Sequence, residues 1–313
     1  MTVHPYARRS VLLIFLDGVG IGTRDPSRNP LFETPLPFLT KVLGGALPSL
    51  RRREIQSHDA SCMALDATLG IRGLPQSGTG QSALYTGRNT ARIIGQHFGP
   101  YLYSTLKPVV AQESIFQQLL DHGIPHEEIA LANAFPQRFF EYLAGPRRRM
   151  VAGMYAALSS DIPFRSIHHL KRGEAVSTDI TAERWREIGH PDAPVITPHH
   201  AGALLANIAQ HHRFTLYEYF MTDKAGHERS HAFASSLLAD LDEFLRGVFE
   251  HLDHEHVVTL VTSDHGNMEE LSTKTHTRNP VPVFAFGRER LQLISSITSI
   301  SEVTPAIVRF LRT

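Results

Sequence analysis

Three stretches of this chain finish in the same way, and that shared ending restricts its fold more than any other feature. Residues 11–16 form an unbroken apolar run closed by Asp17-Gly18. Residues 214–220 alternate aromatic and polar side chains and lead to Asp223, and Val257–Thr262 ends at Asp264-His265-Gly266. Apolar runs of this length suit strands buried on both faces, the condition inside a parallel sheet. Val281–Phe286 reads as a fourth strand. Between the second and third strands, Phe233, Leu237, Leu241, Phe244, Leu245, Val248 and Leu252 recur at helical spacing and predict a long amphipathic helix. Residues 77–86 predict a short helix with a serine at its start and Gly87 as its stop, and residues 303–311 a closing helix. Strands alternating with helices predict an α/β fold, a three-layer α/β/α arrangement around a mostly parallel sheet.

Residues 96–197 carry mixed helical and strand signals and several Pro-bounded turns. They are expected to form an inserted, smaller α+β cap domain, which leaves 1–95 and 198–313 as a discontinuous core domain. The 313 residues are enough for such a division. Lys and Arg number 31 and so do Asp and Glu, which removes the electrostatic motive for nucleic acid or an anionic membrane as the main partner. The arginine runs at 51–53 and 147–149 are accordingly expected to be solvated loops. Cys62 is the single cysteine, so neither a disulfide framework nor a cysteine-based zinc cluster is available. The early apolar run stops at Asp17, too short for a membrane span or a signal-peptide core, and a cytoplasmic location is expected.

In an open parallel sheet the carboxyl ends of the strands line one edge, where ligands bind. Asp17, Asp223, Asp264 and His265 are therefore expected on one rim. Carboxylates crowded together take up protons unless a cation neutralises them, so one or two divalent metal ions are expected. Asp223-Lys-Ala-Gly-His227 adds an imidazole four residues after a carboxylate, on one side of a turn eased by Gly226, and His276 lies in a loop before the fourth strand. Oxygen and imidazole ligands without a thiolate suit Zn²⁺ or Mn²⁺. The candidate nucleophile lies in Gln76-Ser77-Gly-Thr79-Gly80, where a helix N-terminus between glycines can stabilise a serine alkoxide. An ordinary helix-capping serine fits the same segment, and Thr79 is the rival hydroxyl. Gly18-Val-Gly20-Ile-Gly22 resembles a dinucleotide-binding turn, but its third glycine falls one place early and Asp17 would repel a phosphate. The remaining histidines, paired at 168–169, 199–200 and 211–212 or loosely grouped as His251, His254 and His256, fit no ligand pattern and are expected on surfaces.

Taken together, Phe15-Leu-Asp17-Gly-Val-Gly20, Gln76-Ser77-Gly-Thr-Gly80, Asp223-Lys-Ala-Gly-His227, Thr262-Ser-Asp264-His265-Gly-Asn267-Met-Glu269 and His276-Thr-Arg-Asn-Pro-Val-Pro282 resemble the alkaline phosphatase superfamily. Within it they look most like the branch of cofactor-independent phosphoglycerate mutases and phosphopentomutases. The resemblance covers roughly residues 10–95 and 198–313. It implies two metal sites, one held by Asp223, His227 and His276, the other by Asp17, Asp264, His265 and the Ser77 oxygen. It also implies Ser77 as the nucleophile, a cap inserted after the nucleophile helix, and two-metal phosphoryl transfer on a small phosphomonoester through a phosphoserine. A phosphatase or phosphotransferase is the first expectation. A phosphomutase acting on a small sugar or acid, and a non-catalytic protein that retains the metal site, are the alternatives. Asn267, Lys224 and Arg278 are candidate phosphate contacts, and Arg138, Arg147, Arg148, Arg165, His168 and Lys171 candidate substrate groups in the cap. Gln81 stands where the family often has histidine, and the Arg-Asp pair and later lysine that hold phosphoglycerate are not found, which points away from phosphoglycerate mutase activity itself. Ser77 also lacks the sequence context that sulfatases modify. The expected partner is a small phosphorylated substrate, and the oligomeric state stays open.

Overall fold

The computed structural model describes residues 9–145 and 149–312. Among them the strands are β1 (Ser10–Leu16), β2 (Glu54–Gln56), β3 (Ala60–Leu65), β4 (Ile129–Leu131), β5 (Asn133–Phe135), β6 (Arg165–Ser166), β7 (Val176–Ser177), β8 (Phe214–Tyr219), β9 (Val257–Thr262) and β10 (Val281–Phe286). Seven form one sheet in the order β2-β3-β10-β9-β1-β8-β4. β4, β8, β1 and β9 run parallel, whereas β10 is antiparallel to β9 and β3, and β2 to β3. Every residue of β1 is buried, as an unbroken apolar run demands. Val11, Leu13 and Phe15 face one core, with the helices Ser77–Thr86, Lys107–Glu113, Ile115–Asp121, Ala152–Ser159 and Val303–Arg312. Leu12, Ile14 and Leu16 face the other, with Pro37–Val42, Pro198–Gln210 and His231–His251. The result is the expected α/β/α architecture around a mostly parallel sheet. Register pairs Leu16 with Tyr219 and Phe15 with Thr262, so Asp17, the residues after β8 and the residues after β9 emerge at one edge.

Residues 96–197 are not set apart as a whole, which corrects the expected boundaries. β4 pairs with β8 through Ile129↔Phe214, Ala130↔Thr215 and Leu131↔Leu216. The helices between 107 and 159 bury Val110, Ile115, Phe116, Leu119, Ala152 and Ala156 in the same core as β1 and β8. The Phe116 ring meets Phe214 edge-on, with centroids 5.9 Å apart. Each large side chain buried this way stabilises by about 1.5–3 kcal/mol, so these helices gain more from the main sheet than from standing alone. The part with its own core is smaller. It consists of the three-stranded sheet β6-β5-β7 and a cluster of Ala134, Leu170, Ala175, Ala182, Trp185 and Ala193. Arg147 and Arg148 lie outside the described residues. No helix among the described residues is long and apolar enough to cross a membrane.

Candidate functional site

Ser77 is the first residue of the Ser77–Thr86 helix, and the chain positions it by close approach on both sides. A Cβ on Gly78 would lie 2.2 Å from Tyr101 O, and one on Gly80 would lie 2.8 Å from Asp264 O, so only glycine lets this helix press against the residues after β9. The Ser77 hydroxyl then sits 2.9 Å from His265 Nε2. The same ring nitrogen is 3.3 Å from Asp17 Oδ1 and 3.6 Å from Asp264 Oδ2. Asp17 follows β1 directly, and its carbonyl accepts from the Thr222 hydroxyl at 2.5 Å. Asp223 and His227 lie on the helix Met221–Glu228. The turn expected there is therefore a helical turn, and Gly226 serves close packing: a Cβ there would come within 2.5 Å of Asn267 Cγ. Asp223 Oδ2 is 3.3 Å from His227 Nε2, and Asp223 Oδ1 is 3.5 Å from His276 Nε2. His276 is held by Pro75 O, 2.8 Å from its Nδ1, and its ring stacks on His265 at 3.8 Å.

The side chains thus meet in two groups, Asp223, His227 and His276, and Asp17, Asp223 and His265, with Asp223 common to both. The donor set fits divalent cations. Asp17 Oδ1, Asp264 Oδ2, Asn267 Oδ1 and His265 Nδ1 are buried without a hydrogen-bond partner. One imidazole nitrogen cannot donate to Ser77, Asp17 and Asp264 together, and orphaned carboxylate oxygens carry a large desolvation cost. Burial pushes the Asp17 and Asp264 carboxyls above the usual carboxylate range, against the pull of His265. Burial opposes a charge on His265, but the Asp264 and Asp17 carboxylates outweigh it and carry the ring to about 10. His276 moves the other way, to about 4, because burial and the His265 charge both disfavour its protonation. A group of buried acids that must otherwise hold protons is the electrostatic setting a metal ion resolves.

The substrate candidates fare differently. Asn267 donates to Asp223 Oδ1 at 2.6 Å and to Asp223 O at 3.1 Å, so it holds a carboxylate of the cluster. Lys224 turns to Glu228, 3.6 Å away, and to the Phe233 ring. Arg278 is exposed and donates to Gly73 O at 3.2 Å. Arg165 donates to Glu174 O, Lys171 pairs with Asp192, and the His168 backbone is capped by Ser166, all in the small sheet region. Arg138 lines a separate cavity with Arg184 and Trp185.

Two residues carry weight that sequence reasoning missed. Glu269, buried, accepts from Gly20 N at 3.0 Å, Asn267 N at 2.7 Å, Asn279 Nδ2 at 3.0 Å and the Thr277 hydroxyl. It ties together the loops that follow Asp17, His265 and His276. Glu218, inside β8, accepts from Tyr85 OH at 2.7 Å while its other oxygen is buried and unpaired. Burial, with Asp17 nearby, pushes its pKa to about 7 despite the Tyr85 bond. Gln81 Nε2 reaches Asp17 Oδ2 at 3.4 Å.

Comparisons with known proteins bear on the C-terminal segment and on the fold. Residues 198–313 match the family model described as the metalloenzyme superfamily. A stretch of 84 residues is 29% identical to the 2,3-bisphosphoglycerate-independent phosphoglycerate mutase 1 of Methanocaldococcus jannaschii, and covers 27% of this chain and 20% of that protein. The match therefore spans about a fifth of that relative's length. Among solved structures, the PH0037 protein from Pyrococcus horikoshii superposes with a TM-score of 0.56 at 15% identity over 98% of both chains. The alkaline phosphatase from the Antarctic bacterium TAB5 superposes with a TM-score of 0.53 at 12% identity, over 97% of this chain and 98% of that one. At such identities the likeness is one of fold, and it runs through the middle of the chain as well as its ends.

Proposed function

We propose that this chain is a metalloenzyme of the alkaline phosphatase superfamily and that it hydrolyses small phosphomonoesters through a phosphoserine at Ser77. The observation that carries the reading is the Ser77 hydroxyl, 2.9 Å from His265 Nε2, beside two groups of carboxylates and imidazoles whose ligand atoms converge to within 4.8 Å of one another. Asp223, His227 and His276 would hold one cation, and Asp17, Asp264, His265 and the Ser77 oxygen the other, with Mn²⁺ or Zn²⁺ suited to these donors. When bound, such ions lower the pKa of a coordinated hydroxyl and neutralise charge on the phosphoryl oxygens. Ser77 Oγ, its proton released to solvent, attacks phosphorus in line; the new Oγ–P bond forms as the P–O bond to the leaving alkoxide breaks, and the alkoxide takes up a proton from solvent. The helix N-terminus at Ser77 favours the negative charge that builds there. Water then cleaves the phosphoserine and releases inorganic phosphate.

Likeness to a mutase sequence supports a second reading, in which a substrate hydroxyl rather than water takes the phosphoryl group. Free phosphate and isomer formation, measured together on a panel of sugar and acid phosphates with Mn²⁺ and Zn²⁺ supplied separately, separate the two. Ser77→Ala is expected to abolish the mass increase of one phosphoryl group on the quenched enzyme while metal still binds. Wild-type turnover in that variant would sink the covalent route. Bound metal without turnover of any phosphomonoester would leave a binding protein.

A further inference from the structure

A cavity of about 480 Å³ opens beside the Ser77 site, and nothing in the chemistry above uses it. Arg53, Glu54, the end of β3 at 63–66, Arg278, Pro280 and Thr298 line it. Two contacts tie it to the phosphoryl site. His276 is held on Pro75 O, and two residues further along each segment Arg278 Nη1 donates to Gly73 O. The side chains of His276 and Arg278 thus both reach the 73–75 segment, and Arg278 stands two residues, at most roughly 7 Å of extended chain, beyond His276. The sheet gives the same neighbourhood. Leu65 pairs with Val281, and Val283 with Thr262 beside Asp264, so the cavity floor on β3 lies two strand spacings, roughly 10 Å, from β9.

The charges in the cavity are unequally engaged. Arg53 Nε donates to Leu50 O at 3.2 Å, and Arg278 likewise bonds a backbone carbonyl. Among the described residues neither guanidinium has a carboxylate within ion-pair distance. The two acids of the lining each have one oxygen engaged: Asp66 Oδ1 accepts from the Thr68 amide and hydroxyl at 3.0 and 2.7 Å, and Glu54 Oε1 from the Gln56 side-chain amide at 3.0 Å. Planar guanidinium groups with free N–H pairs are suited to bidentate contact with an oxyanion.

We propose that this cavity binds a second anionic group, phosphate or carboxylate, at the far end of the substrate. The enzyme would then act on doubly anionic molecules of sugar size. The inference rests on the phosphatase reading and narrows it: a span of roughly 10 Å asks for a backbone of about five or six carbons, beyond the reach of a three-carbon phosphate. The Mn²⁺-loaded enzyme is to be assayed on glucose 6-phosphate, fructose 1,6-bisphosphate and 6-phosphogluconate, with 4-nitrophenyl phosphate as the probe of basal turnover. One of the two dianionic-ended substrates is expected to exceed glucose 6-phosphate in kcat/KM by about tenfold or more, chiefly through KM, and which one leads tells phosphate from carboxylate. Arg53→Ala and Arg278→Ala should each bring that ratio down toward one, with partial recovery in Arg53→Lys. A ratio near one in the wild type, or a ratio that neither variant moves, overturns the proposal and leaves the phosphatase reading standing. Failure to turn over any of the four compounds overturns the phosphatase reading itself.

Discussion

The two halves of the proposed ligand cluster hold the same kinds of donor in unequally buried surroundings. Asp17, Asp264 and His265 are sealed from water, with Asp264 and His265 at 0% exposure, whereas the His227 side chain is 47% exposed and that of Asp223 17%. In the inner half the carboxyls are pushed toward their protonated forms and His265 toward its charged one. In the outer half water solvates His227 and reaches Asp223, while His276 is the buried member, at 7% exposure. Leaving the inner half without a cation therefore costs more than leaving the outer half without one, and the inner ion should bind first and leave last.

The largest expected effect follows from that asymmetry. Asp17→Asn removes one of the buried charges that recruit the inner cation and should reduce kcat by about a thousandfold, the loss of roughly 4 kcal/mol of transition-state stabilisation. Excess Mn²⁺ should not restore it. Recovery at millimolar metal would mean that the inner half is no more demanding than the outer.

Burial on the inner side extends down β8 to Glu218, which has no counterpart in the outer half. Burial lifts its pKa from the ordinary carboxylate value of 4.5 to about 7, so the folded chain holds a proton that the unfolded chain releases. Stability is full below the unfolded value and falls as pH rises toward 7. Glu218→Gln cannot titrate and keeps an acceptor for Tyr85. Compared in urea as metal-free proteins, the variant should gain on the wild type between pH 5 and pH 8 by up to about 3 kcal/mol. An unchanged difference at the two pH values would mean that Glu218 is ionised in the native state.

Glu269 bridges both halves, since its carboxylate accepts from the segments after Asp17, His265 and His276. Glu269→Gln replaces an acceptor oxygen with a donor facing N–H or O–H groups. Calorimetry should show Mn²⁺ affinity lowered by about 10–100-fold, the range for groups that orient metal ligands. If the variant melts lower when metal-free yet binds Mn²⁺ as tightly as the wild type, Glu269 is a structural tie and nothing more.

Much of this was legible because the signals were local. The apolar runs, their terminal carboxylates and the Ser77 helix each occupy a short segment whose pattern states its own burial. Other features depend on partners far along the chain. A run buried on both faces looks the same in either direction, so the antiparallel course of β10 had no signature. The helices between 107 and 159 join the main core through contacts with β8, such as Phe116 on Phe214, and no local pattern announces a partner some hundred residues away. Glu218 read as the polar member of an alternating strand. Glu269 closes the motif that begins at Thr262 but carries no role in the sequence by itself, although a signal is present: a Cβ on Gly20, Gly22 or Gly266 would strike it, and three glycines in ligand-bearing loops imply that something approaches closely.

The smallest expected effect is the most direct test of the asymmetry. His227 is the exposed member of the outer group, its Nε2 3.2 Å from His276 Nε2 and its Nδ1 3.1 Å from Lys274 O. His227→Ala leaves Asp223 and His276 in place, and water can take the vacated ligand position at modest cost because the site is already wet. Turnover should fall only about tenfold at limiting metal, some 1.4 kcal/mol, and return as Mn²⁺ is raised. The metal content of the dialysed variant should drop from two ions to one, the inner ion remaining. If the variant instead loses both ions together, the two halves bind as one unit through Asp223, and the difference in burial sets no order of release.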